Sequence, residues 1–144
     1  MGIIDKVIGN PNSSTENPTN TSAKKKVLIV EDDQYLKDFY QELLTSAGYD
    51  VLTAVNGQEG LEKVVAQKPS LILLDIMMPV MDGKSMLHKM REIEEFKYTP
   101  VIILTNAGDA DNMKQTMRYD NANAFLIKSN ITPDELLSAV KNFV

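Results

Sequence analysis

The stretch PSLILLDIMMPVMDG, residues 69–83, decides the fold that this sequence predicts. It contains a short, almost wholly apolar run at residues 70–74, and an aspartate, Asp75, follows at once. A continuous apolar run of this length is typical of a strand buried on both faces, as in a parallel sheet covered by helices. Such a strand ends at the carboxyl edge of the sheet, where open α/β folds bind their ligands. Asp75 is therefore a candidate functional residue, although an aspartate here is equally suited simply to ending the strand or capping a turn.

Composition places the chain among single globular domains. Its 144 residues are 43% hydrophobic, which suffices for one domain with a substantial core. There is no cysteine, which excludes disulfides and thiolate metal sites and fits a reducing cytoplasm. The formal net charge of -5 argues against general affinity for nucleic acid, and no apolar run is long enough to span a bilayer. We therefore expect a cytoplasmic protein that contacts neither nucleic acid nor a membrane.

The first 23 residues differ in composition from the rest of the chain. Residues 9–23 are mostly Asn, Ser, Thr and Pro, and they carry one charge. Such a segment buries too little apolar surface to offset the entropy lost on ordering. We interpret residues 1–23 as a flexible N-terminal tail and residues 24–144 as the folded domain.

From residue 24 onward, strand patterns alternate with helix patterns. Apolar residues at helical spacing follow each strand, and Met113 and Met117 mark the fourth of five predicted helices. Strict alternation with short connections predicts an α/β fold, a doubly wound five-stranded parallel sheet with helices on both faces. The predicted strands lie at residues 27–30, 50–54, 70–74, 101–105 and 124–127.

Polar and charged side chains stand at the ends of these strands. Because the carboxyl ends of parallel strands meet at one edge of the sheet, side chains far apart in sequence converge there. Each has an ordinary explanation when taken alone, such as a helix cap or a surface charge, but their coincidence at one edge favours a site. The residues are Glu31, Asp32 and Asp33 after the first strand, Asp75 after the third, Thr105 at the end of the fourth and Lys128 after the fifth.

The carboxylates in this set point to a bound cation, because clustered negative charges repel one another. Oxygen ligands without His or Cys select a hard divalent ion, and Mg²⁺ suits phosphate chemistry best. With the cation in place, one carboxylate is able to act as a nucleophile towards a phosphoryl group. A lysine and a hydroxyl would then hold the phosphoryl oxygens.

The same side chains, with the segment DIMMPVMDG around Asp75, resemble those of response-regulator receiver domains of the CheY-like kind. The resemblance covers about residues 26–144. It implies a (βα)5, flavodoxin-like three-layer sandwich that takes a phosphoryl group from a sensor histidine kinase or a histidine phosphotransfer protein. A receiver of this kind catalyses only its own phosphoryl transfer and dephosphorylation, and is otherwise not an enzyme. The residues that carry the resemblance are Asp32, Asp33, Asp75, Thr105 and Lys128.

The resemblance also implies a role for each residue of the phosphoryl site. Asp75 would be the phosphoacceptor, and Lys128 would contact the phosphate. Asp32 and Asp33 would form an acidic Mg²⁺ pocket together with Asp75. The backbone carbonyl of Met77 would complete the set of metal ligands.

Two further residues would form a switch by the same resemblance. Thr105 would supply the switch hydroxyl, and Phe125 would be the switch aromatic. Phosphorylation would then change the face built from the fourth helix, the fifth strand and the fifth helix. That face would bind a downstream protein target or a second copy of the chain, as in a stand-alone receiver.

One departure from the family concerns the loop after the fifth strand. The family usually has Lys-Pro there, commonly with a cis peptide bond, whereas this chain has Lys128–Ser129. A cis bond costs roughly 2.5–4 kcal/mol before a residue other than proline, against about 0.5–1 kcal/mol before proline. The sequence is compatible with a cis bond that the fold supports and with a trans bond that gives the loop another path.

Two alternatives accompany this interpretation. An aspartyl-phosphate hydrolase usually carries a second Asp two residues after the first, and Met77 occupies that position. A receiver-like adaptor that is never phosphorylated is the main alternative, although such a protein typically lacks one of the key residues.

His88, the single histidine, is interpreted as a partly exposed residue of the third helix, and the eight methionines mostly as packing residues.

Overall fold

The computed structural model describes residues 24–106 and 120–144. Five strands in this part of the chain form one sheet, in which every neighbouring pair is parallel. The strands are β1 (Lys26–Val30), β2 (Asp50–Ala54), β3 (Leu71–Asp75), β4 (Val101–Thr105) and β5 (Ala124–Ile127). Their order across the sheet is β2-β1-β3-β4-β5, which is the flavodoxin-like order of a doubly wound fold. The predicted fold class is confirmed.

Four α-helices connect or follow these strands in the described residues. The predicted fourth helix, around Met113 and Met117, and the predicted tail at residues 1–23 lie outside the described residues. No described helix has the length and apolar character that a membrane span requires. The helices are α1 (Gln34–Ser46), α2 (Gly57–Gln67), α3 (Gly83–Arg91) and the C-terminal helix (Pro133–Phe143).

Side-chain caps explain where the helices begin. At α2, the Asn56 side chain accepts a hydrogen bond from the Glu59 N–H at 2.8 Å. The Glu59 carboxylate accepts a hydrogen bond from the Val55 N–H at 2.8 Å. A complete capping box would use the N–H of Asn56, the next residue. At the C-terminal helix the box is complete, since Thr132 and Glu135 each accept a hydrogen bond from the other's N–H.

The core consists of two apolar clusters, one on each face of the sheet. In β3, Leu71 and Leu73 pack with α1 and the C-terminal helix, whereas Ile72 and Leu74 pack with α2 and α3. All four side chains are fully buried, because helices cover both sides of the strand. This is the predicted three-layer sandwich. Since side chains alternate along a strand, Asp75 faces the same side as Leu71 and Leu73.

Candidate functional site

The strand ends bring the predicted polar residues to one edge of the sheet, but to different depths. Asp75, the last residue of β3, is 3% exposed, and Thr105, the last residue of β4, is also 3% exposed. Glu31 directly follows β1 and is fully buried. Asp32 and Asp33, next in sequence, are exposed.

Three carboxylates converge at this edge, those of Glu31, Asp32 and Asp75. One oxygen from each lies within 4.8 Å of the others, close enough for one cation to contact all three. The predicted pair was Asp32 and Asp33, and the structure places Asp33 differently. Its carboxylate lies outside this group of three and accepts a hydrogen bond from the Leu36 N–H at 3.1 Å as the N-cap of α1.

The alternation of β1 explains why Glu31 takes this place. The Glu31 N–H donates to the Ala54 carbonyl at 3.0 Å, which continues the pairing of β1 with β2 past Val30. Glu31 therefore points to the same face as Val27 and Ile29, as Asp75 does in β3. In the sequence, the alternation of strand residues from Val27 indicates Glu31, provided that the strand pairing continues past Val30.

Lys128 supplies the positive charge of the site. Its Nζ lies 2.9 Å from Glu31 Oε1, 3.2 Å from Glu31 Oε2 and 3.4 Å from Asp75 Oδ2, and its side chain is only 13% exposed. The described part of the chain contains no cis peptide bond, so Lys128–Ser129 is trans. A short 3-10 turn, Lys128–Asn130, carries the chain onward with the lysine directed at the carboxylates.

Burial and neighbouring charges set the protonation of the site. Desolvation of the carboxyl, followed by the negative charge of Glu31, raises the pKa of Asp75 to about 7, while the Lys128 charge and the Met77 N–H oppose that rise. Burial lowers the pKa of Lys128, but its hydrogen bond to Glu31 and the charges of Asp75 and Glu31 outweigh burial, so this pKa is raised overall. A cation among the carboxylates would remove the main electrostatic reason for Asp75 to hold a proton near neutral pH.

The two predicted switch residues lie on neighbouring strands. The Thr105 hydroxyl is buried and donates to the Asn106 carbonyl at 3.3 Å. Phe125 lies on β5, an edge strand of the described sheet, where it pairs with Ile103 of β4. The residue is 48% exposed, which leaves its side chain room to change position.

His88 lies on α3 and contacts none of these residues. Its side chain is 66% exposed, and its Nδ1 lies 3.1 Å from an oxygen of the buried Asp120. The interpretation of His88 as a partly exposed helix residue fits this position. Its contact with Asp120 joins residues 32 positions apart, and no local pattern in the sequence indicates it.

The comparisons with known proteins agree with this geometry. The family described as the response regulator receiver domain matches residues 27–141. The chain is similar to the sensor histidine kinase TmoS of Ectopseudomonas mendocina, with 33% identity over 132 residues, which are 92% of this chain but only 13% of TmoS. This chain therefore spans a small part of that relative.

Two solved structures are similar over their whole length. The chemotaxis protein CheY4 of Vibrio cholerae superposes with a TM-score of 0.78 and 31% identity, over 85% of this chain and 100% of CheY4. The receiver domain of the sensor histidine kinase PA1611 from Pseudomonas aeruginosa PAO1 has a TM-score of 0.76 and 28% identity, over 84% of this chain and 98% of that domain. The latter structure holds a magnesium ion coordinated in its active-site cleft. With the family match over most of its length, this chain belongs to the response regulator receiver domains of two-component signalling.

Proposed function

We propose that this chain is a cytoplasmic, phosphorylation-dependent switch in which Asp75 accepts a phosphoryl group from a sensor histidine kinase or a histidine phosphotransfer protein. The proposal is carried by the arrangement of charged side chains around Asp75. Its buried carboxyl group ends the central strand, with carboxylates of Glu31 and Asp32 within 4.8 Å and Lys128 Nζ at 3.4 Å. This arrangement provides a nucleophile, a cation site and a fixed positive charge within one small volume.

The proposed reaction is a single phosphoryl transfer. A carboxylate oxygen of Asp75 forms a bond to phosphorus while the P–N bond of the donor's phosphohistidine breaks, and the imidazole nitrogen that leaves takes up a proton. Lys128 and the Thr105 hydroxyl would receive phosphoryl oxygens of the product. Most of the catalysis would therefore come from positioning and charge, with little further covalent chemistry.

The residues present fit a Mg²⁺ ion. All the available ligands are oxygens, and Glu31 and Asp75 are buried carboxylates whose mutual repulsion a divalent cation relieves. We propose that Glu31, Asp32, Asp75 and the backbone carbonyl of Met77 hold the ion, with Glu31 in place of Asp33. Bound Mg²⁺ would neutralise negative charge on the carboxylates and on the phosphoryl oxygens.

The output of the switch is proposed to be a change of surface. If the phosphoryl group draws the Thr105 hydroxyl towards Asp75, the half-exposed ring of Phe125 gains space to turn inward. Phe has no hydroxyl, so its two positions would differ in packing alone. The shift would change the face formed by β5, the C-terminal helix and the predicted fourth helix, where a target protein or a second copy of the chain would bind.

Intact mass spectrometry tests the phosphoacceptor role. The protein is incubated with acetyl phosphate, with and without Mg²⁺, and the wild type is compared with Asp75→Asn. Asp82→Asn is the matched control, because Asp82 is an exposed residue of the same loop and asparagine also caps helices well. We expect a Mg²⁺-dependent phosphoryl adduct in the wild type and the control, and none in Asp75→Asn. No adduct on any of the three would favour the adaptor, and sustained turnover of phosphate esters would favour the hydrolase.

A further inference from the structure

Tyr40 of α1 lies beneath the acidic edge of the sheet. It is 1% exposed and belongs to the apolar cluster on the α1 face, the face to which Glu31 and Asp75 also point. Tyr40 and Lys128 line the same cavity, of about 220 Å³, between α1 and the turn after β5. The hydroxyl of Tyr40 is therefore a polar group among apolar side chains, near the proposed phosphoryl site.

The electrostatic surroundings of Tyr40 agree with this position. Burial, followed by the negative charges of Glu31, Asp75 and Asp33, raises the pKa of the Tyr40 hydroxyl to about 12. The phenol therefore stays protonated at neutral pH and keeps its O–H as a hydrogen-bond donor.

Packing alone does not explain a tyrosine at this position. In the described part of the chain, two buried side-chain polar atoms make no hydrogen bond, namely the Tyr40 hydroxyl oxygen and Glu31 Oε1. Glu31 Oε1 is nevertheless in an ion pair, at 2.9 Å from Lys128 Nζ. A buried hydroxyl without a partner is unfavourable, and phenylalanine would fill the same space without it. The Tyr40 hydroxyl is able to donate a hydrogen bond, and Glu31 Oε1 is able to accept one.

Lys128 links these two atoms to the chemistry of the site. Its Nζ lies between Glu31 and Asp75, so phosphoryl oxygens on Asp75 would compete with Glu31 for the ammonium group. The fully buried Glu31 carboxylate would then need another donor to hold its charge and its orientation. The N–H of Asp33, at 3.1 Å from Glu31 Oε2, satisfies the other oxygen.

We propose that Tyr40 is a positioning residue of the site, whose hydroxyl donates a hydrogen bond to Glu31 and orients it towards Mg²⁺ when Lys128 turns to its phosphoryl ligand. The proposal rests on the proposed function, since it requires a loaded site. Hydrogen-bond partners of metal-ligating groups typically change metal affinity by about 10- to 100-fold when they are removed. We expect the lower end of that range for Tyr40→Phe, because Glu31 keeps its other contacts.

Titration calorimetry with Mg²⁺ tests the inference on the full chain, with beryllium fluoride present as the phosphoryl mimic. Tyr40→Phe is expected to bind Mg²⁺ about tenfold more weakly than the wild type. Tyr49→Phe is the control, because Tyr49 packs against the same apolar cluster but precedes β2, at the opposite edge of the sheet. In a Glu31→Gln background, Tyr40→Phe should cause little further loss, because Tyr40 acts through Glu31.

Two further measurements separate positioning from packing. The melting temperature of metal-free Tyr40→Phe should equal or exceed that of the wild type, which shows that the fold is intact. The Cζ resonance of Tyr40, assigned by its loss in Tyr40→Phe, should shift when Mg²⁺ and the mimic are added. Equal Mg²⁺ affinity of the wild type and Tyr40→Phe, or full additivity with Glu31→Gln, would overturn this inference alone. A wild type that binds no Mg²⁺ would overturn the proposed function as well.

Discussion

The raised pKa of Asp75 predicts that the metal-free protein loses stability as the pH rises. The ordinary pKa of this carboxyl is 3.8, and in the folded protein it is about 7. Between these values the folded protein holds a proton on Asp75 that the unfolded chain has released. The free energy of unfolding therefore falls from about pH 4 to about pH 7 and then levels off.

The size of this effect follows from the difference between the two pKa values. Each pH unit corresponds to 1.36 kcal/mol, so a difference of about three units gives an upper value of about 4 kcal/mol. Asp75→Asn removes the titrating group and keeps its shape. We expect the variant to be more stable than the wild type by roughly 2–4 kcal/mol at pH 8, and the two to converge near pH 4.

Urea denaturation at a series of pH values, with a chelator present, measures this difference. The two proteins differ only at residue 75, so the difference in unfolding free energy reports Asp75 together with Glu31 and Lys128, whose charges interact with it. Mg²⁺ in excess serves as the control. The cation should stabilise the wild type and remove most of the difference in unfolding free energy between the wild type and Asp75→Asn. A difference in unfolding free energy that does not change with pH would refute the electrostatic account of Asp75, and so would a variant less stable than the wild type at pH 8.

Two further predictions concern the loop after β3. A Cβ on Gly83 would collide with the backbone carbonyl of Asp75, so Gly83→Ala should destabilise the protein by about 1–3 kcal/mol and weaken Mg²⁺ binding; a wild-type melting temperature would contradict this. Met77, two residues after the acceptor, is 58% exposed and has no group that orients a water, so Met77→Asn should lose its phosphoryl group faster once the donor is removed. Equal or slower decay would mean that another part of the site sets the lifetime. Ala107, for which the sequence supports the same argument, lies outside the described residues.

Much of the fold follows from short-range physics that is visible in the sequence. The apolar runs at residues 71–74 and 101–104 are fully buried, because a parallel strand between two helical layers has no solvent face. The helix caps at Asn56, Asp82 and Thr132 are residue types that favour this position, and an N-cap depends only on residues within one turn.

The details of the site depended on tertiary structure to a greater extent. Three acidic residues follow β1, and which of them turns inward depends on how far the pairing with β2 continues. The alternation from Val27 selects Glu31 only when this pairing continues past Val30, and the predicted strand ends at Val30. The sequence leaves the path after Lys128 open for the same reason, since its trans peptide bond accompanies a contact with Glu31, 97 positions away. Tyr40 fits the apolar face of its helix, and only the folded chain places it with Lys128 at the same cavity.

The central claim is that the phosphoryl group resides on Asp75, and chemical mapping tests it most directly. Borohydride reduces an aspartyl phosphate to homoserine, so the phosphorylated protein is reduced, digested and sequenced by tandem mass spectrometry. The account predicts homoserine at position 75, formed only when Mg²⁺ accompanied the phosphoryl donor. Homoserine at position 32 or 33 in place of 75, or none at any position in a protein that carries the adduct, would contradict it.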